Sequence, residues 1–425
     1  MCQIYAKRLL PILFLLITGA ASAQNSNKEN APYSRYGIGD LVDGSNVLLR
    51  GMGYTSTSYS SGTAVNTDNP ASYASLRLTT YEAGITGSLR TIRVGGEKYN
   101  TGSATIANLN VGIPLGKNGG LALGLRPQSK VFYHNVDSSL RFADGSRGVS
   151  DYNGDGGLNY AFIGAAGKYK GFSLGFNFGY MFGTIRNTSV TRNIDTTVLL
   201  SSDITRYTKI GGIYWKGGLQ YETPINNKLK LRVGATATIN QDLNASREEY
   251  LSTFHYTSGG TLVTDTAYHN SDISGKVTLP LSISGGVMLG GDKWSASVDY
   301  TNTNWSQYRN YGAIDSVADH TSRISVGGEY TPNATALYAY LPRITYRLGF
   351  YYGTDYVKLR NTDINYYAVT LGGSLPFKRS ADRIHIAAEI GQRGTETNNL
   401  VKENFFRFHL GISLNSKWFE KRRYD

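Results

Sequence analysis

One stretch of polar residues has the spacing of a metal-binding loop. Asp151, Asn153 and Asp155, followed by Gly156, match the start of a calcium loop, in which carboxylate and amide oxygens alternate. The twelfth position is Phe162, where such a loop needs a bidentate glutamate. We therefore expect residues 135–157 to form a turn-rich outer loop with at most a weak calcium site.

Other residue types that carry out chemistry are present without the required arrangement. The six histidines are scattered, and none has the i, i+4 spacing of helical metal ligands. The sequence contains neither the G-x-S-x-G motif of hydrolases nor a phosphate-binding P-loop. The single cysteine is Cys2, which leaves no thiol nucleophile in the remainder of the chain. We predict no enzyme activity and no cofactor.

The N-terminus has the features of a cleaved export signal. Lys7 and Arg8 precede an apolar stretch from residue 9 to 17, and Ala21-Ser22-Ala23 matches a cleavage site of small residues. An inner-membrane anchor would need a longer apolar stretch. Residues 1–23 are therefore predicted to be a signal peptide of a protein exported from a Gram-negative cytoplasm.

The composition favours a β protein. Of the 425 residues, 50 are Gly and 32 are Tyr, while only 17% are charged. This mixture is too aromatic for a disordered chain and too poor in helix-forming residues for a helical bundle. The net charge of +12 suggests nucleic acid at first sight, but the positive residues gather at predicted turns and in the C-terminal tail. Anionic lipid headgroups or an acidic periplasmic protein explain that distribution, and nucleic acid binding is not expected.

Apolar and small or polar residues alternate along many segments. In the clearest case, Phe172, Leu174, Phe176, Phe178 and Tyr180 alternate with small or polar residues. Soluble sandwiches alternate too, so alternation alone does not identify a membrane protein. The predicted strands, however, are about 11 to 16 residues long, which exceeds the usual length in soluble sheets. Aromatic residues also recur near the strand ends, as the girdles of membrane barrels require.

Short and long connections alternate along the chain, as in outer-membrane barrels. The fold class we predict is all-β: a transmembrane antiparallel β-barrel of about fourteen strands in the outer membrane. Residues 79–416 would form the barrel, and 417–425 a basic periplasmic tail. Residues 24–78 would form an N-terminal extension and a hatch that plugs the lumen, and residues 241–275 a hairpin beyond the membrane. The predicted strands are 80–93, 104–114, 120–134, 158–169, 171–186, 205–223, 228–240, 276–290, 292–308, 321–331, 342–357, 362–377, 382–395 and 404–416.

Three patches of sequence resemble the FadL-type transporters of long-chain fatty acids and hydrocarbons. Leu49–Gly53 and Asn69–Ser72 are similar to the "G-R-A-x-x-G" and "N-P-A" motifs of that family's hatch. Leu279–Gly286 and Lys293–Tyr308 are similar to two of its strands. The resemblance implies a fourteen-stranded barrel with an N-terminal hatch. It also implies hatch roles for five residues: Arg50, Gly51, Asn69, Pro70 and Ala71.

Several residues on the predicted inward face are charged. They are expected to form a lumenal ion-pair network that holds the hatch, or alternatively a path for a ligand or ion. Pro280 removes a backbone donor from its strand and is a candidate break in the wall. The network residues are Arg35, Asp299, Glu329, Arg347, Glu389 and Arg407.

Two functions remain open at this point. The resemblance favours the passage of a hydrophobic small molecule, such as a fatty acid, across the outer membrane. The polar extension, charged lumen and basic tail favour a non-transporting accessory barrel of an assembly or secretion complex. The expected partners are outer-membrane lipids, together with a hydrophobic ligand in the first case and envelope proteins in the second.

Overall fold

The computed structural model describes residues 30–195, 200–256, 262–336 and 338–418. The predicted signal peptide and the end of the basic tail lie outside these residues. Sixteen strands of nine residues or more follow residue 78 in the described part of the chain. They are β1 Thr79–Val94, β2 Glu97–Leu115, β3 Gly119–Asp137, β4 Gly148–Tyr169, β5 Phe172–Asn193, β6 Ser201–Pro224, β7 Lys230–Thr238, β8 Gln241–Tyr256, β9 Leu262–Leu279, β10 Ser282–Gly290, β11 Trp294–Thr303, β12 Thr321–Tyr330, β13 Thr345–Leu359, β14 Thr362–Pro376, β15 Arg383–Gly394 and β16 Lys402–Ser416.

Fourteen of these strands form a closed antiparallel barrel, which confirms the predicted fold class. Each wall strand pairs with the next along the chain, β7 pairs with β10, and β16 pairs with β1 to close the wall. Closure gives every strand two neighbours, so no sheet edge is left in the hydrocarbon layer of the membrane. The remaining strands, β8 and β9, form the hairpin predicted near residues 241–275, and β8 also pairs with the outer half of β6.

The alternation in sequence becomes the two faces of the wall. On β5, Phe176 and Phe178 are exposed on the outside, whereas Ser173 and Asn177 are buried on the inside. Outward apolar side chains stabilise the barrel in lipid, because the hydrocarbon layer provides no hydrogen-bond partners for polar groups. The inward face of small and polar residues leaves a wide lumen that other parts of the chain must fill.

The connections differ in length at the two ends of the barrel. At one end, β4 and β5 are separated by two residues and β10 and β11 by three, as periplasmic turns usually are. At the other end several strands are longer than the sequence predicted, and β6 has 24 residues. Their outer halves, with the β8–β9 hairpin, project beyond the apolar band as one continuous sheet.

The structure corrects the predicted limits of several strands and loops. The predicted strand 276–290 is interrupted at Pro280 and Leu281, where β9 ends and β10 begins. The predicted strand 292–308 ends at Thr303, and Trp305–Gln307 form a 3₁₀ turn instead. The predicted loop 135–157 is a β-strand from Gly148 onward, because β4 pairs with β5 along its entire length.

In the described residues, helical structure is limited to short turns. One α-helical turn spans Val47–Arg50, and 3₁₀ turns span Pro32–Arg35, Pro70–Ser75, Trp305–Gln307, Leu341–Arg343 and Thr397–Asn399. Two-residue strands at Asp40–Leu41 and Arg309–Asn310 complete the regular structure of the described residues. No helix in the described part of the chain has the length and apolarity needed to cross a membrane.

Residues 30–78, which we call the lumenal segment, lie inside the barrel. Most of them are buried, and their backbone packs against glycines on the inward face of the wall. A Cβ atom on Gly327 would clash with the Met52 carbonyl, and one on Gly234 would clash with the Thr57 carbonyl. The inward glycines therefore allow the two backbones to approach closely, which explains part of the high glycine content.

Candidate functional site

The first part of the lumenal segment, residues 30–43, completes the barrel wall, and we call it the arm. Pairing between β2 and β3 stops at Leu109 and Leu125, although both strands continue outward. The arm takes the vacated place beside β3, with Asp40 opposite Lys130 and Leu41 opposite Ser129. The arm therefore supplies backbone partners where two wall strands separate.

Further hydrogen bonds attach the arm to the same strand. The Ala31 N–H donates to the Phe132 carbonyl at 2.8 Å, and the Val42 N–H donates to the Gln128 carbonyl at 3.0 Å. The Ser34 hydroxyl accepts from the Phe132 N–H at 3.0 Å. These contacts fix the register of the arm over most of its length.

A buried charge cluster with members on four wall strands also holds the arm. Asp40 lies 2.7 Å from Arg393 and 3.5 Å from Arg90. Glu403 lies 3.0 Å from Arg90, and Asp355 lies 2.9 Å from Arg393. Burial alone would raise the pKa of Asp40, but the guanidinium groups of Arg393 and Arg90 outweigh it and hold the pKa below its ordinary value.

A second cluster surrounds Glu389 on β15. The Tyr54 hydroxyl donates to this carboxylate at 2.8 Å, and Arg407 lies 2.8 Å away. The Tyr351 hydroxyl and the His409 ring also contact it. Because Glu389 is almost fully buried, these partners are needed to offset the loss of hydration of its charge.

The rest of the lumenal segment, residues 44–78, is held mainly by close packing and by hydrogen bonds to single side chains. We call it the packed part. Asp299 accepts hydrogen bonds from the N–H groups of Ser56 and Thr57, both at 2.7 Å. The Glu82 carboxylate accepts from the Val65 N–H at 3.0 Å and contacts the Asn46 amide.

The five residues matched to the hatch motifs all lie in the packed part and are buried. Arg50 donates to the carbonyls of Ser45 and Asp43, at 2.9 and 3.2 Å, and so stabilises the turn before its own helix. Gly51 packs against the backbone of β14. Asn69 caps the 3₁₀ turn that contains Pro70 and Ala71, since its Oδ1 accepts from the Ala71 N–H at 3.0 Å.

The residues expected in a charge network are distributed over several places. Glu389 and Arg407 form one pair, and Glu329 and Arg347 form another at 2.9 Å. Asp299 binds backbone amides, as described above. Arg35 lies near the outer end, where its guanidinium stacks 3.7 Å above the Tyr152 ring.

The structure places the residues of the weak calcium candidate on a strand, where the sequence analysis expected a turn-rich loop. Asp151, Asn153 and Asp155 occupy every second position of the extended strand β4, opposite β5. Asp151 forms an ion pair with Arg192 at 2.7 Å. Among the residues that the structure describes, no three His, Cys, Asp or Glu side chains are grouped to hold a metal ion.

Sequence reasoning missed the Asp40 cluster almost entirely. Asp40, Arg90, Asp355, Arg393 and Glu403 come from the arm and from four different wall strands. The last four lie at inward-facing positions of amphipathic strands, and the alternation of the sequence could have indicated this. Nothing local in the sequence marked Asp40, because its neighbours show no strand-length alternation.

A cavity of about 320 Å³ remains between the arm, the packed part and the wall. Hydroxyl groups line one side, including Thr236, Thr238, Ser282 and Ser284. Rings such as Tyr214, Tyr351 and Tyr356 also reach it, but charged and other polar side chains together predominate, which makes it unsuitable for an apolar ligand. Its ten charged lining residues are Asp40, Asp43, Asp68, Arg126, Lys216, Asp299, Arg323, Asp355, Arg393 and Arg407.

Comparisons with known proteins agree with this architecture. The family model described as BamG matches residues 5–425. The toluene transporter TbuX of Ralstonia pickettii has a similar structure, with a TM-score of 0.60 and 16% identity over 87% of this chain and 98% of that one. The toluene transporter TodX of Pseudomonas putida gives a TM-score of 0.57 and 15% identity, over 90% and 100% of the two chains.

A FadL homologue of Pseudomonas aeruginosa is also similar, with a TM-score of 0.56 and 11% identity over 88% of this chain and 99% of that chain. At these identities the likeness establishes a shared fold. No curated protein sequence matches the chain significantly.

Proposed function

The chain belongs to the BamG family, and from this premise we propose that it is a non-transporting barrel subunit of an outer-membrane assembly or secretion complex. The observation that carries the proposal is the way the lumen is filled. The arm replaces a missing strand contact in the wall, and buried charges on several strands hold it there. A barrel closed in this way serves better as a scaffold than as a channel.

The cost of opening the lumen supports the same conclusion. Withdrawal of the arm would separate Asp40 from Arg393 and remove its hydrogen bonds to β3. Breaking one buried ion pair by removing a partner costs about 3–5 kcal/mol. Displacement of the packed part would also leave Asp299 and Glu389 without their partners. If the lumen opened for each passing hydrophobic molecule, this free-energy cost would arise at every opening.

The outer surface offers room for protein partners. The outer halves of β4, β5 and β6, together with the β8–β9 hairpin, form a polar sheet beyond the lipid-facing band. At the opposite rim, exposed Lys228 and Lys293 belong to the basic periplasmic turns. Polar surfaces on both sides of the membrane suit a subunit that contacts other envelope proteins.

Purification in mild detergent from the native membrane tests the proposal. We expect mass spectrometry to find envelope proteins in stoichiometric amounts and no bound lipophilic molecule. Deletion of 420–425 should reduce the recovery of partners while leaving the barrel folded. A bound fatty acid or hydrocarbon, recovered without any stoichiometric protein partner, would refute the proposal.

The passage of a hydrophobic small molecule is the second candidate function. It is favoured by the wall interruption at Pro280 and Leu281 and by the fold shared with the toluene transporters. The Asn69→Ala substitution separates the two functions, because it removes a cap and a 2.6 Å hydrogen bond to the Thr57 carbonyl inside the lumen. Reduced uptake of a labelled fatty acid by a correctly inserted Asn69→Ala variant would support transport, whereas a scaffold predicts no change.

A further inference from the structure

Two positive side chains in the lumenal cavity have no ion-pair partner among the described residues. Arg126 on β3 and Lys216 on β6 both line the cavity described above. Among the described residues, neither lies within 4.0 Å of a carboxylate oxygen. Arg126 is only 6% exposed, and its Nε has no hydrogen-bond partner. A buried guanidinium with an unused donor is unfavourable unless a further group occupies the cavity.

The guanidinium of Arg126 is nevertheless held in a defined place. It lies 5.6 Å from the centre of the Tyr160 ring. On the other side it reaches Gly44 of the packed part, where a Cβ atom would clash with it. The absence of a side chain at Gly44 thus creates the space in which Arg126 faces the cavity.

The acidic groups of the cavity are already bound elsewhere. Arg393 pairs with both Asp40 and Asp355, and Arg323 pairs with Asp43. Asp299 accepts two backbone amides, as described above.

Asp68 is the remaining carboxylate near the two cations, and it accepts a hydrogen bond from the Ser45 hydroxyl. Burial opposes its charge, but the nearby positive charges of Lys216 and Arg126 hold the pKa of Asp68 below its ordinary value. Asp68 is thus the carboxylate that these two cations share, while the lining of the cavity as a whole holds five acidic and five basic side chains.

We propose that Arg126 and Lys216 bind a small oxyanion, of the phosphate, sulfate or carboxylate class, in the lumenal cavity. A bound oxyanion would supply the acceptors that Arg126 and Lys216 lack, because the guanidinium and ammonium groups would each donate a charge-assisted hydrogen bond to it. Thr236 and Thr238 line the same cavity and offer hydroxyl donors for the remaining oxygens. The site does not depend on the proposed scaffold function, because it lies within the isolated barrel.

Inorganic phosphate is the probe for a direct test. Equilibrium binding is measured by calorimetry on the purified full-length barrel in detergent, at constant ionic strength with chloride as the reference anion. We expect saturable binding of phosphate and about tenfold or more weaker binding in Lys216→Met and Arg126→Gln. Sulfate and acetate, measured in parallel, define which oxyanion class the cavity prefers.

Two further variants separate binding from folding. Lys209→Met removes an exposed outward lysine from the same strand and should bind phosphate as the wild type does. Gly44→Ala keeps every charge but displaces the Arg126 guanidinium, so it should weaken binding while heat-modifiable electrophoretic migration still shows a folded barrel. If the wild type shows no saturable phosphate binding, or if Lys216→Met binds as tightly as Lys209→Met, the proposal is wrong.

Discussion

The arm and the packed part occupy one lumen but are held by different forces. The arm is attached by strand-like hydrogen bonds to β3 and by ion pairs around Asp40. The packed part lies against inward glycines, and its backbone touches the wall directly. Ion pairs and edge hydrogen bonds can exchange with water one at a time, whereas close packing is lost only when the whole contact opens.

This difference indicates which part of the segment can move. The packed part is comparable to a protein core, in which even a small increase in side-chain volume lowers the stability. The arm resembles a sheet edge whose partner can be replaced by another strand. If the protein changes conformation in a complex, we expect the arm to move and the packed part to remain in place.

The largest effect is expected where a methyl group enters the packed contact. In Gly327→Ala, the new Cβ would clash with the Met52 carbonyl and force the two backbones apart. Overpacking costs about 1–3 kcal/mol and sometimes more, and here neither backbone can easily move aside. We expect a lower urea midpoint and a smaller fraction of heat-modifiable folded protein.

Gly285→Ala is the matched control, because a Cβ at that outward position meets no atom within 4 Å. It should retain the wild-type midpoint. Equal stability of the two variants would mean that the packed part does not touch the wall as described.

For the stability of the whole barrel, a smaller effect is expected from a change in the arm, because that change acts locally. The Asp40→Asn substitution weakens the ion pairs to Arg393 and Arg90, and the loss of a charged hydrogen bond costs about 1.5–3 kcal/mol. The other two carboxylates still neutralise both arginines, so the barrel itself should remain stable. The arm should open more often, by about ten- to a hundredfold.

Maleimide labelling of single cysteines measures this opening. Ile38 in the arm and Ala64 in the packed part are both buried, and each is changed to Cys in separate variants. Asp40→Asn should accelerate labelling at position 38 and leave the rate at position 64 unchanged. Equal acceleration at both positions would show that the lumenal segment moves as one body.

The sequence predicted the wall well and the arm poorly. Alternation over long segments, as on β5, reflects the membrane itself, because every outward residue meets the same apolar solvent. The positions of Asn69 and Pro70 in the lumen were also expected, on the strength of their resemblance to hatch motifs.

The arm and the Asp40 cluster depend on contacts between residues more than 300 positions apart, such as Asp40 and Arg393. No local sequence pattern indicates which inward-facing charged residues form ion pairs with one another. The extent of β4 was missed for a related reason, since Asp151 and Asp155 look like loop residues until β5 is seen to pair with them. The outer half of that sheet lies beyond the lipid, where polar residues are no longer evidence against a strand.

The smallest predicted effect is a response of the arm to acid. The pKa of Asp40 in the folded protein lies below its ordinary value, which is about 3.9 in an unfolded chain. The carboxylate therefore stabilises the attached arm fully above about pH 4, and this contribution is lost as the pH falls through the folded pKa. An environment-sensitive dye attached at Leu41→Cys should report an acid transition below about pH 4. The same dye in an Asp40→Asn background should lack that transition, because no proton binds at position 40. A transition that persists unchanged in Asp40→Asn would assign the acid response to another carboxylate of the cluster and reduce the role of Asp40 in holding the arm.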